Sequence, residues 1–160
     1  MSTFKGISLN GKYYTKEWIL DYFQDLSHTL FTENERQVLT FCGQWLKGAK
    51  EYRVQTSGST GQPKSIRLKR TQMSISARMT GKALHLKKGE RAFVCLSCAY
   101  IGGIMMLVRG LVLDLELIVV DPARVPIASL GLASDSAETI ESFALSSVVP
   151  LQLKAMLSSG

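Results

Sequence analysis

Residues 91–120 read RAFVCLSCAYIGGIMMLVRGLVLDLELIVV, and the fold turns on how this stretch is parsed. Arg91 to Leu96 is an apolar run of strand length, and Leu115 to Val120 is a β-branched run stopped by Asp121-Pro122. Between them, Ile101 to Leu113 is apolar over the length of a helix. Strand, helix and strand joined by short links predict parallel strands with a helical crossover. The run is no membrane span: that needs ~20 largely uncharged apolar residues, and Arg109, Asp114 and Glu116 interrupt this one.

The alternation continues on both sides. Downstream, the pattern predicts a short helix over Ser134 to Phe143, a strand over Ala144 to Val148, and a helix over Pro150 to Leu157 that opens on proline. Upstream, Thr71 to Leu86 reads as a helix, Glu51 to Gln55 as a short strand, and Ile66 and Leu68 alternate with basic residues as in a half-exposed strand. Nearer the start, Trp18, Ile19, Tyr22, Phe23, Leu26 and Leu30 recur at helical spacing after Thr15, a good N-cap. A second helix opens at Thr32-Glu-Asn-Glu35, a capping box, and buries Val38, Leu39, Cys42, Trp45 and Leu46 before Gly48. The expected class is α/β: a layered, mostly parallel sheet with flanking helices. Residues 1–50 form a helical segment packed on it and residues 51–160 its first α/β portion.

The 160 residues are 46% hydrophobic and 20% charged, which argues against disorder, collagen or a disulfide-stapled miniprotein. Three cysteines are odd in number and sparse, and the opening MSTFKGISLNGKYY has no apolar secretory core. Both favour a cytoplasmic protein with reduced thiols. The net charge of +6 is concentrated: residues 64–91 hold nine basic side chains against Glu90 alone. Such a block is either a solvated helix face or the footprint of a polyanion.

That block begins at the end of Thr56-Ser-Gly-Ser-Thr-Gly-Gln-Pro-Lys64. Gly58 and Gly61 allow positive φ and close approach of backbone, and four hydroxyls accompany the exposed amides. Successive amides in such turns form a concave anion nest, with Lys64 as a point charge at its rim. Walker A fails, because Pro63 stands where its second glycine belongs, and the dinucleotide-binding glycine spacing is absent. The alternative is a flexible Ser/Gly surface loop.

The nine residues from Thr56 to Lys64 resemble the phosphate-loop signature of the adenylate-forming enzymes: acyl-CoA synthetases, peptide adenylation domains and luciferases. Leu96-Ser-Cys-Ala-Tyr100-Ile-Gly-Gly103 resembles that superfamily's proline–aromatic–histidine segment leading into Gly-Gly, and Val148-Val149-Pro150 its later strand–Pro–helix element. With only about 55 residues before the loop, the chain is most similar to the compact o-succinylbenzoate–CoA ligases of menaquinone biosynthesis. The resemblance implies the incomplete N-terminal (large) domain of a ligase that joins a small-molecule carboxylate, ATP and CoA, with Mg²⁺ on the nucleotide. It implies that Thr56, Ser57, Gly58, Ser59, Thr60, Gly61 and Lys64 hold ATP phosphates, and that Tyr100, Gly102 and Gly103 line the acyl pocket. Tyr100 stands where many members have histidine, and Ser97 where they have proline. The superfamily's adenine-binding turn, its magnesium-binding glutamate, its ribose-binding aspartate and its lid-domain lysine have no counterpart in residues 1–160. The expectation is therefore a chain inactive alone, with no complete catalytic set and no metal ligand of its own.

A nucleic-acid-binding module built on residues 64–91 is the competing reading. Against it, no Phe, Tyr or Trp lies between Lys64 and Arg91 to stack on bases, so no nucleic-acid partner is expected. Self-association through an exposed sheet edge is a further expectation. Cys95-Leu-Ser-Cys98 reads as buried thiols rather than a metal or redox pair, and His28 and His85 as packing or surface residues.

Overall fold

The computed structural model describes residues 4–26, 30–57, 61–130 and 142–158. A five-stranded sheet in the order β2-β1-β6-β5-β7 forms its centre. The strands are β1 (Gly6–Leu9), β2 (Lys12–Thr15), β5 (Arg91–Val94), β6 (Glu116–Val119) and β7 (Leu145–Ser147). The β1–β6, β6–β5 and β5–β7 pairs are parallel and only β1–β2 is antiparallel, so the mostly parallel α/β sheet is as expected. A separate antiparallel ribbon joins β3 (Glu51–Gln55) to β4 (Ser65–Lys69).

Both faces of the sheet are covered, which explains why its inner strands read as continuous apolar runs. Ala92, Val94, Leu117 and Val119 face the main core with Ile7, Leu9, Val38, Leu39 and Leu107. Their neighbours Phe93, Cys95, Ile118 and Val120 face a smaller cluster with Phe143 and Val148. The helices are α1 (Lys16–Tyr22), α2 (Glu33–Leu46), α3 (Arg70–Ala83), α4 (Ile101–Leu113) and α5 (Pro150–Leu157). No helix among the described residues is long and apolar enough to cross a membrane.

The predicted bounds of α4 and α5 match, and Thr32 and Glu35 cap α2 reciprocally as the capping box requires. Two N-terminal features differ. Residues 6–15 form a hairpin around Asn10-Gly11, whose φ angles of 48° and 80° suit a tight reversal, so residues 1–50 contribute strands as well as helices. The helix expected to run to Leu30 ends at Tyr22. Phe23 packs against α2 at Gly43, and Leu26 and Phe31 are buried while Leu30 is fully exposed; inward packing wins over helical spacing. The helix expected over 134–143 lies outside the described residues except for Ser142 and Phe143.

Candidate functional site

The β3–β4 ribbon carries the glycine- and hydroxyl-rich loop at its tip. Tyr52 and Val54 of β3 point into the core, and Ile66 and Leu68 of β4 are half-buried against it. Glu51, Arg53, Gln55, Ser65, Arg67 and Lys69 therefore share the outer face, with Gln55 opposite Ser65 at the last rung. Beyond that rung Thr56 and Lys64 clasp the loop. The Thr56 N–H donates to the Lys64 carbonyl at 3.0 Å, and the Lys64 N–H donates to Thr56 Oγ1 at 3.3 Å. The Thr56 hydroxyl thus closes the loop's neck instead of facing outward. Ser57, Gly61, Gln62, Pro63 and Lys64 are exposed, and among the described residues no atom beyond its chain neighbours lies within 4 Å of where a Gly61 side chain would begin. Gly61 has φ +139°, a conformation other residues avoid. Gly58, Ser59 and Thr60 lie outside the described residues.

The second expected element lies against this neck. Gln55 and Tyr100 pair in an isolated parallel bridge, so the ribbon and the turn before α4 meet through backbone. Tyr100, half-buried, is the N-cap of α4, and the turn before it is tied by Ala99 N–H to Ser97 Oγ at 3.2 Å and Tyr100 N–H to Ser97 O at 3.3 Å. Gly103 packs on that turn: a Cβ there would collide with the Ser97 carbonyl and stand 2.7 Å from the Leu96 carbonyl. Gly102 has only the Leu96 side chain nearby, at 3.3 Å. Gly103, rather than the pair, therefore lets the first turn of α4 pack directly on the backbone of Leu96 and Ser97.

Behind the turn lies a polar network that sequence reasoning missed. Asn34, in the first turn of α2 and 8% exposed, accepts from the buried Cys98 N–H at 3.0 Å through Oδ1. Its Nδ2 donates to Asp121 Oδ1 at 3.2 Å, which also accepts from Thr32 Oγ1 at 3.1 Å. Asp121 N–H donates to Asn10 Oδ1 at 2.9 Å, and Asn10 Nδ2 donates to Glu35 Oε1 at 2.9 Å. The capping box was the one legible signal in this region.

The basic block is not one surface. Arg70 lays its guanidinium 4.0 Å from the Trp45 ring centre and donates to the Trp45 carbonyl at 2.6 Å, locking the base of the ribbon to α2. Arg91 covers Phe143 at 4.7 Å and donates to Ser142 Oγ at 3.2 Å. Lys64, Arg67, Lys69, Arg78, Lys82, Lys87 and Lys88 are exposed. All three cysteines are buried free thiols; burial pushes Cys95 up to about 11 and Cys98 to about 12, and raises Cys42 further. Burial also lowers the pKa of Arg109, which donates to Thr80 Oγ1 at 3.3 Å. His85 is exposed with φ 54°, and His28 lies outside the described residues. Among the described residues no three His, Cys, Asp or Glu side chains converge to hold a metal ion.

No protein-family profile matches the chain, and no curated protein matches it. Among solved structures the chain is similar to one described as acyl-CoA synthetase (AMP-forming)/AMP-acid ligase II-like protein from Dyadobacter fermentans DSM 18053. The two are 44% identical with a TM-score of 0.70, over 85% of this chain. The chain spans 36% of that protein's length.

Proposed function

We propose that the chain is the phosphate-binding part of an adenylate-forming ligase, with residues 51–160 as the first α/β portion of its nucleotide domain and residues 1–50 packed on it. The likeness to the Dyadobacter fermentans protein supports the superfamily. The observation that carries the reading is the neck of the loop, where Thr56 and Lys64 are clasped together and Gln55 is bridged to Tyr100. The reaction is ligation in two steps. A carboxylate oxygen attacks the α-phosphorus of ATP, forming a C–O–P linkage and expelling pyrophosphate. The CoA thiolate then attacks the acyl carbonyl and expels AMP. The demands on this chain are to bind the polyphosphate and to offset charge building on pyrophosphate as it leaves.

The exposed residues of the loop fit a polyphosphate. Main-chain N–H groups of Ser57 to Gly61 are the donors for β- and γ-phosphate oxygens, and the exposed Lys64 adds a positive charge at the rim. The magnesium ion that accompanies ATP sits on phosphate oxygens and neutralises part of their charge. Thr56 serves as the clasp, whereas Ser57, Ser59 and Thr60 contribute hydroxyls to the cradle. Tyr100, with Gly102 and Gly103 behind it, forms the wall facing the carboxylate substrate. An aromatic wall suits a planar acid, and o-succinylbenzoate is the substrate we assign; the intact ligase works in the cytoplasm.

Calorimetric titration of the chain with Mg·ATP and with inorganic pyrophosphate tests the loop. Both should bind, and Lys64→Ala should weaken both roughly tenfold while leaving the melting temperature unchanged. An oligonucleotide that bound instead, with affinity falling steeply against salt, would transfer the exposed basic residues to the nucleic-acid reading. Thioester formation from o-succinylbenzoate, ATP and CoA by the protein carrying this chain tests the substrate.

A further inference from the structure

Asn34 is an uncommon choice for a buried position in the first turn of a helix, since a buried amide must satisfy donors and acceptor at once. Here it does so across the molecule. Its acceptor takes the buried N–H of Cys98, 64 residues away, and its donor meets Asp121, 87 residues away. The members of the network outside α2 lie where strands end at their carboxyl edge: Asn10 follows β1, Cys98 lies beyond β5, and Asp121 lies beyond β6. In open parallel sheets this is the edge where ligands bind. Cys98 is two residues before Tyr100, whose backbone bridges to Gln55, the residue next to the loop clasp.

We propose that Asn34 is a positioning residue for the phosphate loop. By holding the Cys98 N–H it fixes the turn 97–100, and through the Tyr100–Gln55 bridge it fixes the neck of the loop in its binding geometry. Asp121 is the group that aims the Asn34 amide, because its carboxylate accepts from Nδ2 and so leaves Oδ1 turned to Cys98. The proposal rests on the reading that residues 56–64 bind phosphates, but it concerns a residue on another element, α2, that the loop's own sequence does not specify.

The test exchanges the two polar groups. Pyrophosphate affinity is measured by calorimetry with magnesium present, below the melting range of each variant so that every sample is folded. Exchange of the Cys98 amide proton is followed by NMR in parallel. Asn34→Ala orphans the Cys98 N–H and should cost roughly tenfold in pyrophosphate affinity, with fast exchange at Cys98. Asn34→Asp sets two carboxylates against each other and should weaken binding as much. The double variant Asn34→Asp/Asp121→Asn restores one donor and one acceptor in exchanged positions. It should recover affinity to within about twofold of the parent and slow the Cys98 exchange again. A folded exchange variant that binds pyrophosphate roughly tenfold more weakly than the parent overturns the proposal, and this comparison decides the matter even if the single variants do not fold. So does an Asn34→Ala protein whose affinity equals the parent's. A parent chain that binds no pyrophosphate sinks the functional reading itself, and is thereby told apart from both.

Discussion

Adjacent glycines at the start of α4 should answer the same substitution with opposite signs. In Gly103→Ala the new methyl runs into the Ser97 carbonyl and comes within 2.7 Å of the Leu96 carbonyl, and both obstacles are backbone. That turn has little room to retreat, because Cys98 is held by Asn34 and Tyr100 N–H by Ser97 O. Overpacking of this kind costs about 3 kcal/mol, at the upper end of the usual range. Alanine returns about 1 kcal/mol of helix propensity, for a net loss of about 2 kcal/mol. For a chain of this size that lowers the melting temperature by about 4–8 °C. In Gly102→Ala the methyl meets only the far end of the Leu96 side chain at 3.3 Å, which can rotate aside. Most of the propensity gain survives, and the melting temperature should hold or rise by up to about 3 °C. Thermal unfolding followed by circular dichroism at matched concentration reads both. Equal melting temperatures for the two variants would refute the argument that backbone contact at Gly103 sets the seating of α4.

Other outcomes follow from features already described. Thr32→Ala removes the cap on α2 and one donor to Asp121, and should cost about 1–2 kcal/mol in urea unfolding with little change in the slope. Arg70→Met removes the stacking on Trp45 and the bond to its carbonyl, and should cost about 2 kcal/mol by the same measurement. Burial raises the thiol pKa of Cys95 from 9.0 to about 11 and that of Cys98 to about 12. The unfolded chain therefore releases these protons first, so stability is full below about pH 9 and falls as pH rises toward 11, by about 1.4 kcal/mol per unit for each thiol. Urea midpoints measured from pH 8 to 11 check this, and a Cys95→Ala, Cys98→Ala double variant should make the fall shallower, leaving the share of Cys42, whose thiol burial also raises.

The sequence was most informative where local chemistry sets the structure. Apolar length and flanking breakers delimit α4, proline opens α5, and Thr32 with Glu35 declares the start of α2. The hairpin at residues 6–15 was equally local, since Asn10-Gly11 between Leu9 and Lys12 is a strong reversal signal. Two features were beyond local reading. The early end of α1 depends on Phe23, Leu26 and Phe31 finding a surface on α2 and the sheet. The Asn34 network joins residues whose neighbourhood exists only after the sheet is assembled, and Asn34 itself sits within a capping sequence that already accounts for its neighbours. The loop and the Tyr100 turn were legible as separate stretches; that they touch through Gln55 was not.

The place of β1 in the sheet bears on synthesis at the ribosome. The parallel neighbour that Ile7 and Leu9 need, Leu117 to Val119, is translated some 110 residues after them. At about 5–20 residues per second that is a wait on the order of 5–20 s. During it, β2 shields one flank of the strand and the other stays open to whatever passes. A nascent chain halted before Leu117 should therefore be a strong client of chaperones, and one released after Val119 a much weaker one.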